Sequence, residues 1–177
     1  MVIDRPSSLG LSELGTSAVA GVSVRECGVG ALRQTEFTFN DFYVTMTDAG
    51  TTGYAGSLIY TFPAGAILPL GGVGSLTVTA SSGSLAGVSI GLGSTQNADN
   101  TISGNEENIM VESGTVTATT ATALTVKQGT ANTAVIDGTS TNVPCYFNIN
   151  STGDPGTGQT LKFNGTIVVT WVNLGDC

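Results

Sequence analysis

The chain is 177 residues long, the size of one domain with a single hydrophobic core. It carries a formal net charge of −8 and contains no histidine. The lack of histidine removes the commonest general base, the Ser-His and Cys-His nucleophile pairs and the commonest ligand of transition metals. Nucleic-acid binding needs clustered basic side chains, but the five basic residues are scattered along the chain. They are Arg5, Arg25, Arg33, Lys127 and Lys162.

Most of the polar residues are uncharged. Only 10% of the residues are charged and 25 are glycine, whereas the hydrophobic share is 40% and alternates regularly with polar residues. This combination favours ordered β structure over disorder. No charged residue occurs between Asp48 and Asp99. A surface built mainly from Ser, Thr and Gly over that length predicts that another subunit covers part of it.

Residues 1–17 show no regular period and combine Pro, Ser and Gly with Leu9, Leu11 and Leu14. We predict an N-terminal arm there, followed by one β-sandwich domain over residues 18–177. The arm either lies on its own domain or reaches a neighbouring subunit. The chain start lacks the apolar segment of a signal peptide, and no stretch approaches the ~18 consecutive apolar residues of a membrane span. Three scattered cysteines suggest no disulfide framework, so we expect synthesis in a reducing cytoplasm.

The first predicted strands cover residues 18–24 and 36–47. In the second of these, Phe37 and Phe39 are odd-numbered, whereas the apolar residues from Phe42 onward are even-numbered. The apolar face would change sides unless one extra residue is inserted at Asn40 or Asp41. The pattern therefore predicts a β-bulge or a tight turn at these two residues.

The middle of the chain alternates short strands with turns. Leu58, Tyr60 and Phe62 predict a strand with these three side chains on one face. Residues 69–74 predict a loop, and residues 76–80 and 88–92 predict two further strands. Glycines at positions 87, 91 and 93 predict the close approach of another backbone to the second of these strands. The polar residues 95–108 predict the longest loop.

The last third begins with a long β-prone run over residues 115–126, followed by short predicted strands at 134–137 and 145–150. Cys145 shares a face with Phe147 and Ile149, which predicts a small buried hydrophobic residue rather than a nucleophile. Residues 151–159 predict a turn before the final strand.

That final strand covers residues 160–172 and is the clearest signal in the sequence. Its odd-numbered residues are uniformly apolar and end in Trp171, the single tryptophan, whereas its even-numbered residues are mostly polar. This alternation is typical of a half-buried strand with one face in the core. The apolar pattern continues through Asn164 and Gly165, so we predict one continuous strand with a kink at the glycine rather than a hairpin.

Eight to ten strands separated by turns predict an all-β fold, a jelly-roll-like two-sheet antiparallel sandwich. No internal repeat of a propeller or solenoid is present.

The best candidate for a binding site is an acidic stretch containing Asp99, Glu106, Glu107 and Glu112. Its start resembles a calcium loop, but the twelfth position, which needs a glutamate, is Met110. A solvated acidic loop explains these residues better, and their spacing specifies no carboxylate pair for glycoside hydrolysis. We therefore predict no catalytic residue, no metal site and no cofactor.

Three segments of the chain carry a family resemblance: residues 33–47 with the following Thr/Gly loop, SLIYTFPAGAILPLGGVGSLTVTA at 57–80 and TLKFNGTIVVTWVNLGD at 160–176. In texture and order they resemble the head decoration, or cement, proteins of tailed bacteriophages. The resemblance implies a jelly-roll-like sandwich that binds the outside of an assembled capsid as a homotrimer and stabilises the shell at subunit junctions. It carries no functional motif, so it assigns no site residue.

We therefore expect a non-enzymatic virion protein that is made in the bacterial cytoplasm, binds the major capsid protein, and binds neither nucleic acid nor membrane. The residues predicted to make its contacts are Leu9, Leu11, Leu14, Arg25 and Arg33. The alternative is a carbohydrate- or receptor-binding module of a phage tail or fibre, although aromatic residues make up only 6% of the chain. An enzyme on a β-sandwich ranks third.

Overall fold

A computed structural model describes residues 16–17, 19–119, 122–126 and 134–175. The strands, in chain order, are β1 (Thr16–Ser17), β2 (Val22–Val29), β3 (Leu32–Thr45), β4 (Thr47–Asp48), β5 (Gly53–Thr61), β6 (Ala66–Ala80), β7 (Leu85–Gly93), β8 (Val116–Ala118), β9 (Thr122–Val126), β10 (Pro144–Ser151) and β11 (Thr160–Gly175). A single turn of 3-10 helix covers Gly104–Glu106. Nothing in these ranges forms a helix long and apolar enough to cross a membrane.

The strands form two antiparallel sheets. The first sheet has the order β1-β5-β10-β7-β8, with β4 also pairing with β5, and the second has the order β2-β3-β11-β6-β9. Their inner faces enclose one hydrophobic core that includes Trp171 and the phenylalanines. The prediction of a two-sheet antiparallel sandwich is confirmed.

Strand β11 lies at the centre of the second sheet, between β3 and β6. Its odd-numbered side chains from Leu161 to Trp171 are buried except at Gly165, as the alternation predicted. Gly165 has a φ of +132°, and a Cβ there would collide with the backbone oxygen of Ser75. The predicted continuous strand is therefore confirmed, and its kink needs a glycine because only glycine fits this conformation and this close contact.

The predicted bulge in β3 is also confirmed. The pairing of β3 with β11 shifts between Phe163 and Gly165, and Asp41 has a positive φ of 48°. This extra residue lets Phe39 and Phe42 both enter the core.

Two predictions about the middle of the chain are wrong. Residues 69–74 belong to β6, because β11 pairs with this strand along almost its whole length and long-range pairing overrides the local loop signal of Pro and Gly. Leu58 does not share a face with Tyr60: Ile59 and Tyr60 are both buried, whereas Leu58 is half-buried. The cause is a shift in the pairing of β5 with β10 between Cys145 and Tyr146.

Other element boundaries also differ from the predictions. The run at 115–126 contains two strands in different sheets, β8 on β7 and β9 on β6. Residues 134–137 form only a bridge, from Ile136 to Ile67. The first long strand begins at Val22 rather than Ala18 and continues to Val29. The loop predicted at 95–108 is confirmed, apart from the 3-10 turn inside it.

Candidate functional site

The outer face of the first sheet is covered by residues 94–114, which we call the covering segment. It crosses β7, β10 and β5, and glycines in these strands let it approach closely. A Cβ at Gly93 would collide with the backbone of Glu106, and one at Gly56 would lie 2.6 Å from Gln96 Cγ. The predicted close approach of another backbone to β7 is thus confirmed at Gly93. Both faces of the first sheet are therefore packed at its centre.

Asn148 on β10 holds the covering segment in place. Its side-chain oxygen accepts a hydrogen bond from the Asn97 amide at 2.9 Å. Its side-chain nitrogen donates to the carbonyl oxygens of Thr95 at 2.8 Å and Glu106 at 2.7 Å. Asn148 is fully buried, and Asn97 adds a bond from Nδ2 to the Ile149 carbonyl at 3.0 Å. These bonds satisfy backbone groups that the segment would otherwise bury without partners.

The acidic residues of the covering segment stabilise its turns. Asp99 Oδ1 accepts hydrogen bonds from the amide and hydroxyl of Thr101, and these bonds lower the pKa of the Asp99 carboxyl. Glu107 accepts a bond from the amide of Glu112 at 2.7 Å. Met110, at the position where a calcium loop needs a glutamate, is buried in the core.

Two further carboxylates of this region also contact protein groups. Glu106 accepts a hydrogen bond from the amide of Ser103 at 3.0 Å. Glu112 accepts one from the hydroxyl of Ser89. Within the described ranges, no group of three Cys, Asp or Glu side chains has the arrangement of a metal site. The predicted acidic loop is thus a structural element whose carboxylates hydrogen-bond to its own backbone and to β7.

The outer face of the second sheet is open to solvent, in contrast to the first sheet. Val168 on β11 lies between Glu36 of β3 and Val73 of β6, and Thr166 lies between Thr38 and Ser75. These side chains are half-buried or exposed, and Val73 is 58% exposed. We call this surface, the outer side of β2, β3, β11 and β6, the open face. Apart from Glu36, these six side chains are small and uncharged.

The other charges on the open face lie toward its margins. At one end, Lys162 Nζ forms an ion pair with Asp41 Oδ1 at 3.2 Å. The side-chain amide of Asn164 also donates to Asp41, and this bond, followed by Lys162, lowers the pKa of the Asp41 carboxyl. Toward the β2 edge, Arg25 is directly opposite Glu36 in the strand register.

The β2–β3 hairpin forms one end of the second sheet. Its tip is apolar and open, with Val29 90% exposed and Leu32 52% exposed. Of the predicted contact residues, Arg25 is exposed on the outer side of the hairpin, whereas Arg33 is buried on the core side. The structure thus places the two arginines on opposite faces. The other predicted contact residues, Leu9, Leu11 and Leu14, lie outside the described residues.

The described cysteines do not form a reactive pair. Cys27 is exposed on β2, and its thiol lies 3.9 Å from Gln34 Oε1. Cys145 is fully buried in the core, as its position in the alternation predicted, and burial raises the pKa of its thiol.

Sequence reasoning missed Asn148 as the residue that holds the covering segment. An asparagine at a polar position of an alternating strand predicts a solvent-facing side chain, because nothing in the local sequence reveals what packs over it. The glycines of β7 were the available signal, since they indicate that something approaches the strand.

The chain matches no protein-family model and no curated protein. Among solved structures, it is similar to a chain in the structure of infectious bursal disease virus, Gx strain, with a TM-score of 0.38 and 14% sequence identity. The match covers 96% of this chain and 41% of the viral chain, so this chain spans about two fifths of the protein it resembles.

Proposed function

We propose that this chain is a non-enzymatic structural protein of a virus particle, and specifically a decoration protein on the outside of a tailed-bacteriophage head. The observation that carries the proposal is the open face, which is a solvent-exposed sheet surface of mostly small, uncharged side chains on a molecule whose other sheet is already covered. The resemblance of residues 33–47, 57–80 and 160–176 to head decoration proteins supports the same role.

The open face suits a permanent contact with another protein. Docking onto Val73, Val168 and Thr166 would remove apolar and hydroxyl groups from water. Glu36, which lies beside Val168, would keep an opposite charge close by, because Arg25 is directly opposite it in the strand register. The marginal charges, such as Arg25 and the Lys162–Asp41 pair, would remain at the polar rim, where they set orientation more than affinity.

The proposed partner is the major capsid protein, and the proposed assembly is a homotrimer at capsid subunit junctions. Contacts between copies would use part of the uncharged span at 49–98, while the arm leucines Leu9, Leu11 and Leu14, together with Arg25, contribute to the contacts of the assembled protein. Arg33 is not included, because it is buried on the core side of the β2–β3 hairpin. Synthesis in the host cytoplasm precedes attachment to the capsid exterior.

The direct test is the composition of purified particles of the source virus. We expect the chain in heads at a stoichiometry that matches a set of symmetry-related positions, and its removal should lower the temperature at which heads lose their DNA. Its presence in tails alone, together with binding to a glycan array, would instead support the tail-fibre alternative. Its absence from particles would refute a virion role.

The trimer is tested separately by light scattering after size exclusion over a dilution series. A mass of three chains that persists on dilution is the expected result. A monomer at every concentration would contradict a preassembled trimer without excluding attachment to capsids.

A further inference from the structure

Aliphatic side chains line up across the second sheet at the end that carries the β2–β3 hairpin. Val29 on β2 is directly opposite Leu32 on β3. Val172 on β11 is directly opposite Leu32 on one side and Leu68 of β6 on the other. Because directly opposite residues of antiparallel strands point to the same face, these four side chains lie next to one another on the outer side of the sheet.

The line continues past the edge of β6. Ile136 forms an antiparallel bridge with Ile67, so the next step of this pairing places Val135 beside Leu68. Val135 is 53% exposed. At the usual spacing of strands, the five side chains cross about 19 Å of the sheet. We call them the aliphatic row: Val29, Leu32, Val172, Leu68 and Val135.

The immediate surroundings of the aliphatic row are also uncharged on the outer side of the strands. Leu70 and Leu174, which are close to the row on β6 and β11, are exposed as well. The next residues toward the centre of the sheet are Cys27, Gln34 and Thr170. A contiguous apolar surface of this kind marks a contact site.

The composition of the row favours a second copy of this chain as its occupant. Interfaces between identical chains are the more apolar class, whereas contacts between different proteins resemble the rest of the surface and use aromatic and arginine anchors. The row has no aromatic and no charged member. Binding to a membrane surface usually involves basic and aromatic side chains, and the net charge of −8 opposes contact with anionic lipid.

The size of the row also suits a contact between copies. A standard interface buries about 800 Å² on each partner, of which roughly 500 Å² is apolar in a homodimer. The row with Leu70 and Leu174 exposes on the order of 300 Å² of apolar surface, if a fully exposed aliphatic side chain counts as about 100 Å². The row therefore supplies more than half of the apolar area that such an interface needs.

We propose that the aliphatic row packs against the aliphatic row of a second copy of this chain. The row is self-complementary because all its members are aliphatic, so a symmetric contact buries the same side chains on both copies. The inference rests on the association of copies proposed above, not on the capsid role, and it assigns that association to Leu68 and its neighbours across the sheet. The centre of the open face at Val168 lies four residues from Val172, about 13 Å along β11, and stays available.

The test compares the association of full-length variants by light scattering after size exclusion over a dilution series. Val29 is 90% exposed in the single chain, so Val29→Lys should leave folding intact. We expect the wild-type protein to form an oligomer and Val29→Lys to raise its dissociation constant at least about 30-fold, because the contact would desolvate the added charge. The matched control is Ser23→Lys, an exposed position on the outer side of the same strand about 20 Å away. It should change the dissociation constant by less than about threefold.

Three results would overturn the inference. An oligomer whose dissociation constant is unchanged by Val29→Lys would exclude the aliphatic row and leave the association of copies in place. An equal weakening by Ser23→Lys would show that the added charge acts without regard to position. A wild-type monomer at every concentration would refute both the row and the association of copies. The presence of the chain in virus particles is measured separately and is affected by none of these results.

A second measurement covers the case in which Val29→Lys prevents folding. Cys27 is exposed beside the row, whereas Cys145 is fully buried, so a spin label can be attached to Cys27 in a Cys177→Ser background. Labels on two copies should lie within about 30 Å of each other, given the length of the row and the usual separation of packed sheets. Dilution with unlabelled chain should remove their dipolar coupling. An oligomer of confirmed mass whose labels show no coupling at this distance would also overturn the inference.

Discussion

The two sheets of this sandwich have opposite outer surfaces. The first sheet is covered by residues 94–114, which are fixed by hydrogen bonds to the buried Asn148, whereas the outer side of β11 and its neighbours carries Thr, Ser and Val in contact with solvent. A sheet face can be closed by the chain itself or left for another molecule. In this protein, residues 94–114 cover the outer face of the first sheet, whereas the outer face of the second sheet remains exposed to solvent.

The difference also shows how each surface is stabilised. The covering segment depends on a few buried polar contacts, each of which has a large effect if it is lost. The open face depends on many small side chains, and substitutions there should have little effect on folding. The following predictions test this contrast in order of expected effect on stability.

The largest effect is expected for Asn148→Ala. The substitution removes one acceptor and two donors, and it leaves the Thr95 and Glu106 carbonyls without their partners. We expect a loss of about 3 kcal/mol in the free energy of unfolding, measured by urea denaturation, with faster amide exchange in residues 94–114. The matched control on the open face, Thr166→Ala, should change it by no more than about 0.5 kcal/mol. Equal losses in the free energy of unfolding for the two substitutions would refute the contrast between the covering segment and the open face.

The next effect is expected for Gly93→Ala, which places a methyl group against the backbone of the covering segment near Glu106. Overpacking of this kind should cost about 2 kcal/mol in urea denaturation. Gly114→Ala is the control, because no atom lies within 4 Å of the added Cβ. If Gly93→Ala lowers the free energy of unfolding no more than the control does, the covering segment does not pack tightly against Gly93.

A third substitution separates folding from binding. Val73→Lys introduces a charge at an exposed position of the open face, so the free energy of unfolding should change by no more than about 0.5 kcal/mol. Binding to purified heads, measured by co-sedimentation, should nevertheless be lost, because the charge would be desolvated in the contact. Thr152→Lys, an exposed position in the turn after β10, is the control. Retained binding of Val73→Lys would exclude the centre of the open face as the contact.

The smallest effect on stability is expected for Asp41→Asn, and it depends on pH. Its pKa is lowered in the folded state by Asn164 and Lys162, so the folded state favours the ionised carboxyl. The resulting stability is present above the unfolded pKa of about 3.9 and is lost as the pH falls through the lower folded pKa. Asp41→Asn removes this titrating carboxyl, so the fall in Tm below pH ~4 should be smaller than in the wild-type protein. The difference should be slight, because an exposed ion pair contributes little to stability. An unchanged acid branch for Asp41→Asn would show that this ion pair contributes nothing measurable.

The chain's own local stereochemistry determined the elements that sequence reasoning predicted correctly. Alternation through residues 160–172 specified the core face of β11, and the change from odd to even apolar positions located the bulge at Asp41. These features are readable because side-chain direction along an extended chain follows from covalent geometry alone.

Tertiary structure alone decided the features that depend on distant partners. Residues 69–74 became part of β6 because β11 lies beside them, and the run at 115–126 was divided because its two halves meet different sheets. Likewise, Asn148 became buried because residues 94–114 cross over it, although its local pattern indicates solvent. The sequence by itself thus determined which side of each strand is apolar, while packing between remote segments decided which outer face is covered and which stays open.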